Sequence, residues 1–159
     1  MVELMFYNSN HYDDLNYNLN EEQSKFTFTI DFCINERKDL YDSCKNIITI
    51  INNRKPVGFF ILDMGKDKLL LKNNENAILL RTLSINPNTQ GQGIGKKAMS
   101  QLSDFVLQNY ENINEILLSV HKYNISANKL YLSAGFVDTT LEILSPTGED
   151  LSILSLKLL

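Results

Sequence analysis

Residues Asn88–Ala98 read N-T-Q-G-Q-G-I-G-K-K-A, and how they are read decides the fold. Three of the chain's seven glycines, Gly91, Gly93 and Gly95, stand here at alternate positions. A tight turn explains one glycine, not three; three mark a backbone that something must approach closely. The run before them, Ala77–Ile85 (A-I-L-L-R-T-L-S-I), has the composition of a buried strand, and Asn86-Pro87 stops it. After them comes an amphipathic helix over Ile94–Asn109, with Ala98, Leu102, Phe105 and Val106 at helical spacing. In a strand–loop–helix unit the loop amides and the first-turn N–H groups have no intrahelical partners. They converge on an anion at the positive end of the helix dipole, and Lys96 and Lys97 add charge. The stretch is therefore a candidate phosphate cradle.

Two familiar owners of such a cradle are excluded by spacing. The pattern G-x-x-x-x-G-K-[ST] would need glycine where Gln90 stands and Ser or Thr where Lys97 stands. The pattern G-x-G-x-x-G fails because the glycines fall at 91, 93 and 95, and the next acidic residue, Glu115, begins a strand instead of ending one.

Working outward, the N-terminal side predicts a strand at Val2–Tyr7 and a helix over His11–Asn20. Lys25–Phe32 alternates aromatic and polar residues and reads as an extended edge, followed by a short helix over Asn35–Ser43. Asn46–Ile51 and Pro56–Asp63 form a hairpin around Asn52–Lys55. Gly65–Asn76 is loop-like. On the C-terminal side, Glu115–Val120 is a strand and Ser126–Ala134 a helix with Gly135 placed as its cap. Phe136–Leu144 and Leu151–Leu158 are the last strands. With no repeat and no linker, residues 1–159 read as one mixed α/β domain around a curved sheet.

Composition bounds the function. The chain is 43% hydrophobic and 21% charged, with a net charge of −4 and no basic run, which argues against a general nucleic-acid binder and tolerates a small cationic substrate. Its two cysteines, Cys33 and Cys44, lack metal-ligand spacing, so no metal site is expected. No apolar run is long enough to span a membrane and no leader-like N-terminus is present, which makes the cytoplasm the expected compartment.

Two blocks together resemble the GNAT superfamily of N-acetyltransferases. Gln90-Gly91-Gln92-Gly93-Ile94-Gly95 matches that family's Q/R-x-x-G-x-G/A signature, preceded by Leu83-Ser84-Ile85-Asn86-Pro87, similar to its fourth-strand ending L-x-V-x-P. Val120, Asn124, Ala127, Leu130-Tyr131 and Gly135-Phe136 match its downstream block. The resemblance covers residues 56–138. It implies a curved sheet of six or seven strands with helices on both faces. The strands ending near Ile85 and Val120 would splay to admit coenzyme A. It also implies acetyl-CoA as co-substrate, its pyrophosphate on backbone amides from Gln90 to Lys96. The pantetheine arm would lie along the main chain of Leu83, Ser84 and Ile85 and beside Asn124, with Tyr131 protonating the departing thiolate. Tyrosine suits that role because a phenol of pKa about 10 keeps its proton at neutral pH. Direct attack by an amine needs no covalent enzyme intermediate, so neither cysteine is required for catalysis.

The sequence departs from the family where many members carry an acidic residue on the fourth strand; here the stretch is Leu80-Arg81-Thr82. Glu21, Glu22, Asp31, Asp63 and His121 are candidate bases by residue type only. The carboxylates and aromatics of Tyr12–Tyr17 and Glu21–Phe26 favour a polyamine-like primary amine as acceptor. A protein N-terminus or lysine, and a non-catalytic acyl-CoA-binding module on the same fold, are the alternatives. Pairing through the C-terminal strands is common in the family, which makes a homodimer the expectation.

Overall fold

The computed structural model describes residues 1–36 and 44–158. Its centre is a seven-stranded sheet in the order β1-β2-β3-β4-β5-β7-β6. The strands are β1 (Val2–Phe6), β2 (Lys45–Asn52), β3 (Lys55–Asp63), β4 (Ala77–Ile85), β5 (Glu115–His121), β6 (Val137–Leu144) and β7 (Asp150–Lys157). The helices are α1 (Tyr12–Leu15), α2 (Glu21–Ser24), α3 (Ile94–Ser100), α4 (Leu102–Asn109) and α5 (Ile125–Ser133). The β2–β3 hairpin closes through Asn53 and Arg54, whose φ angles of 51° and 70° match a two-residue turn that follows the twist of the strands.

Helices cover both faces, which is why β2 and β3 read as unbroken apolar runs instead of alternating ones. Along β3, Phe60 and Leu62 face the cluster that holds Ile94, Ala98, Leu102 and Val106 of α3 and α4. Phe59 and Ile61 face the opposite cluster, with Leu15, Ile30 and Cys33. Phe59 and Phe60 are both fully buried, each stabilising the fold by about 1.5–3 kcal/mol.

β4 and β5 position the site. They are parallel neighbours, yet they pair at only three positions: Ala77 with Glu115, Ile78 with Ile116, and Leu79 with Leu117. Beyond these the strands part. The cause lies in β4, where Phe59 and Ile61 of β3 oppose Ser84 and Arg81, so β4 carries an extra residue there. Thr82 takes up that residue at φ 54°, a left-handed conformation that a β-branched side chain rarely adopts. The bulge bends the C-terminal half of β4 away from β5.

At the closed end of the β4–β5 pair, Glu115 ties β5 to β7 and to the segment that leads into β4. It is buried and accepts hydrogen bonds from Lys72 Nζ at 2.7 Å, from Asn74 Nδ2 at 2.8 Å and from the Ser155 hydroxyl. Burial pushes its pKa up, but the bonds from Lys72, Ser155 and Asn74 outweigh that and hold it below the ordinary carboxylate value. The folded form is thus favoured above the unfolded carboxylate's pKa, and this contribution is lost as pH falls through the depressed value. Glu115→Ala should cost about 3 kcal/mol at neutral pH and flatten the acid limb of stability, measured by urea unfolding across pH.

Several sequence expectations need correction. The helix expected over His11–Asn20 ends at Leu15; Asn16 leaves helical geometry at ψ 55°, and Tyr17 turns in to Ser84. Asparagines in this run favour caps over helix interior, and Asn20 indeed caps α2 reciprocally with Gln23. Lys25–Phe32 is not an extended edge: the chain turns helical from Ile30, and Phe28 stacks on Phe32 at 4.8 Å. The residues that alternate in F-T-F-T-I-D-F also recur at spacing four, and the helical contact prevailed. Of the helix expected over Asn35–Ser43, Asn35 and Glu36 belong to a π-helical turn over Phe32–Glu36; residues 37–43 lie outside the described residues. The single helix Ile94–Asn109 is divided at Gln101 into α3 and α4.

Candidate functional site

The gap between β4 and β5 is a cleft of about 310 Å³. One wall is Thr82–Ile85 of β4, the other Ser119–His121 of β5; Asn124 and α5 floor it, Gln23 reaches over the β4 wall, and Phe26 and Thr27 close one end. At the other end it meets a basin of about 270 Å³ lined by Gln90, Gly91, Gly93, Gly95 and Lys96. Ile85, Gln90 and Leu130 line both, so cleft and basin form one groove. Of the sequence-derived loop residues, only Gln92 lines neither; it is exposed.

The glycines divide into two roles. Gly91 and Gly93 have φ of 81° and 74°, and a Cβ on either would meet no protein atom within 4 Å. They supply a left-handed backbone facing open space. A Cβ on Gly95 would instead stand 3.1 Å from Ile85 Cδ1 and 3.3 Å from Leu130 Cδ2. Gly95 therefore lets α3 sit close to β4 and α5, a packing role the sequence did not separate from the cradle.

On β4, the Asn86 amide donates to the Val57 carbonyl at 2.7 Å. Antiparallel alternation then turns the main-chain groups of Leu83 and Ile85 away from β3, toward the cleft. Part of that edge is already engaged, since Gln23 Nε2 donates to the Ile85 carbonyl at 2.7 Å. Ser84 is buried, its hydroxyl 2.8 Å from the Tyr17 hydroxyl. Tyr17 and Gln23, which the sequence placed on a candidate acceptor surface, thus fasten the N-terminal segment onto the end of β4. The capping-box spacing Asn20-x-x-Gln23 was the one local signal for this segment.

Asn124 and Tyr131 come together as the seven-residue spacing implied, both lining the cleft. Asn124 also accepts from the Ala127 amide at 3.2 Å and so caps α5, which leaves its side-chain NH₂ for other contacts. Tyr131 is buried at 7% exposure, edge-on to Phe136 at 5.6 Å. Burial pushes its hydroxyl pKa well above the ordinary tyrosine value.

The structure sorts the candidate bases. Asp63 is buried and held by Arg81 at 2.9 Å, and Arg81 also reaches Asp67 at 3.0 Å. The residue found where an acid was expected is thus committed to a structural ion pair. Asp31 accepts from the Tyr12 hydroxyl at 2.7 Å and lies off the cleft, as does Glu21. Glu22 and His121 line it.

Comparison with known proteins agrees with this geometry. The chain belongs to the acetyltransferase (GNAT) family, whose sequence profile matches residues 11–136. It is accordingly an N-acetyltransferase. An uncharacterized N-acetyltransferase, YbbJ of Bacillus subtilis (strain 168), is 34% identical over 152 residues, 94% of each chain. Two solved structures share the fold at 16% identity. Aminoglycoside acetyltransferase AAC(6')-Ib in complex with coenzyme A aligns at TM-score 0.75 over 99% of this chain and 95% of that one. Spermidine N-acetyltransferase from Vibrio cholerae, in complex with CoA and spermine, aligns at TM-score 0.70 over 98% and 95%. Among the described residues no helix is long and apolar enough to cross a membrane.

Proposed function

We propose that this chain works as one domain that transfers the acetyl group of acetyl-CoA to a primary amine of a small cationic, polyamine-like molecule, in the cytoplasm. The observation that carries the reading is the groove: a parallel strand pair that parts after three positions and opens directly into a glycine-lined basin.

The fit to acetyl-CoA rests on this chain's own groups. Gly91 and Gly93 turn a side-chain-free backbone toward the basin, where the amides from Gln90 to Lys96 and the Lys96 charge suit a pyrophosphate. The Leu83–Ile85 edge suits the amides of the pantetheine arm, which would lie there like an added strand. The Asn124 NH₂ group offers a further donor. Main-chain N–H groups of β4 near Ser84 and Ile85 suit the thioester oxygen as charge develops on it. When bound, acetyl-CoA supplies an activated acyl carbon and a thiolate leaving group. Tyr131 supplies the proton for that thiolate.

Support for a cationic acceptor comes from the far end of the cleft, where the Glu22 carboxylate and the Phe26 ring line the wall. The spermidine acetyltransferase with the same fold was solved with spermine, which agrees with an acceptor of this kind. A homodimer through the β6 edge belongs to the proposal, supported by Val137, Leu141 and Leu144 exposed along that strand. The test is thiol release from acetyl-CoA with a panel of polyamines, aminoglycosides and peptides. Turnover highest with polyamines is expected. Binding of acetyl-CoA without turnover across the panel would favour a sensor instead, and preferred turnover of peptides would replace the acceptor class.

A further inference from the structure

The chain has two histidines, and their surroundings differ sharply. His11 is buried against β2, away from the cleft, its Nδ1 2.8 Å from the Thr49 hydroxyl and its Nε2 3.2 Å from Asn8 Nδ2. Both ring nitrogens are engaged. His121 ends β5, past the last position that pairs with β4, and its ring lines the cleft. Its Nδ1 stands 2.8 Å from Glu149 Oε2, and Phe26 covers the ring at a centroid distance of 5.3 Å. A carboxylate accepting from Nδ1–H fixes the tautomer that carries the lone pair on Nε2.

A second polar group marks the same end of the cleft. Thr27 is 8% exposed, lines the cleft, and its hydroxyl oxygen has no hydrogen-bond partner among the described residues. A buried hydroxyl in that condition is costly unless something else pairs with it.

We propose that His121 is the general base of the acetyl transfer, that Glu149 is the residue that positions it, and that Thr27 accepts a further N–H of the same amine. This rests on the acetyltransferase reading above and names the group that reading leaves open. The protonated acceptor, R–NH₃⁺, gives one proton to His121 Nε2, which passes it to solvent. The neutral amine forms the C–N bond at the thioester carbonyl carbon. As the C–S bond breaks, the sulfur takes the Tyr131 proton, and Tyr131 regains one from the nitrogen now carrying the acetyl group. The products are R–NH–acetyl, a thiol and one proton in solution, so atoms and charge balance. The titratable groups around His121 are Glu149 beside it and, lining the same cleft, Glu22 and Tyr131 of α5; Lys122, next in the chain, is paired with Glu142.

The experiment measures kcat/KM against pH with the best amine of the panel, for wild type, His121→Gln, Glu149→Gln and Glu149→Ala, with acetyl-CoA affinity by calorimetry. Wild type should show a rise in kcat/KM with pH as the base loses its proton. His121→Gln should lose that rise and about 100-fold in kcat, with acetyl-CoA affinity unchanged. Glu149→Ala should lose about 10-fold in kcat and Glu149→Gln should recover most of it, because an amide oxygen still accepts from Nδ1–H. Turnover by wild type with an unmoved pH profile in His121→Gln overturns the base assignment alone. So does a loss of acetyl-CoA affinity that parallels the loss of kcat. If His121→Gln does not fold, the two Glu149 variants decide, and equal activity in both overturns the proposal. No thiol release by wild type with any amine overturns both the base and the acetyltransferase reading.

Discussion

Gly93→Val should weaken acetyl-CoA binding at least ~100-fold, equivalent to about 2.7 kcal/mol, while leaving the fold in place. Gly93 lies at φ 74° immediately before α3, in a region β-branched residues avoid at a cost of about 1–3 kcal/mol. A protein that cannot relax the loop retains that cost; one that relaxes it turns the amides away from the basin. Either route harms the anion site. The Cβ itself would meet no protein atom within 4 Å, so it would occupy the basin and not the core. The loss should therefore appear in calorimetry of acetyl-CoA binding, with a thermal midpoint lowered by no more than the loop strain the chain retains. Gly95→Val should differ, because its Cβ would press on Ile85 and Leu130. It should lower the thermal midpoint as well as the affinity. Near-wild-type affinity in Gly93→Val would remove the pyrophosphate from this loop.

The glycine pair shows which features the sequence could reveal. The glycine-lined loop, the hairpin and the strand boundaries on either side of the loop depend on neighbours a few residues away, and these were legible. Ala77–Ile85 is bounded as expected because a buried apolar run ends at Asn86-Pro87. Asn124 and Tyr131 were legible together because a helix brings a seven-residue spacing onto one side. The splay of β4 from β5 was read from family resemblance, and its physical cause, the bulge at Thr82, was not visible in the composition of β4.

The acceptor end was much less legible because partners distant in sequence build it. Tyr17 reaches Ser84 across 67 positions and Gln23 reaches Ile85 across 62. Nothing local in N-Y-N-L-N announces either bond, so a helix pattern there was read too far. His121 could be named only by type until Glu149 was found beside its Nδ1. Asp63 looked equally eligible until Arg81 was found holding it. Charge patterning names the ionisable groups; only the fold shows which are already paired.

Tyr131→Phe should lower kcat by ~10²–10⁴ with acceptor KM and acetyl-CoA affinity nearly unchanged. The substitution removes one oxygen and keeps the ring edge-on to Phe136. The hydroxyl has no hydrogen bond among the described residues, so its loss strands no partner and stability at neutral pH should hold within ~1 kcal/mol. The catalytic cost is different in kind. A thiolate leaving a carbonyl carbon needs a proton as the C–S bond breaks, and without a donor it returns to the carbonyl. Burial holds the Tyr131 proton in place well beyond the pH at which free tyrosine ionises, so the donor stays loaded across the working range. The same shift has a consequence for stability, and its sign is fixed. A folded pKa raised above the unfolded value of about 10 gives a contribution that is complete below pH 10 and lost as pH rises toward the folded value. Wild type should therefore lose stability above pH 10 more steeply than Tyr131→Phe, a difference that alkaline urea unfolding would measure. A Tyr131→Phe variant with kcat within twofold of wild type would assign the proton to another source. One with lowered acetyl-CoA affinity and unchanged kcat would make Tyr131 a binding group instead.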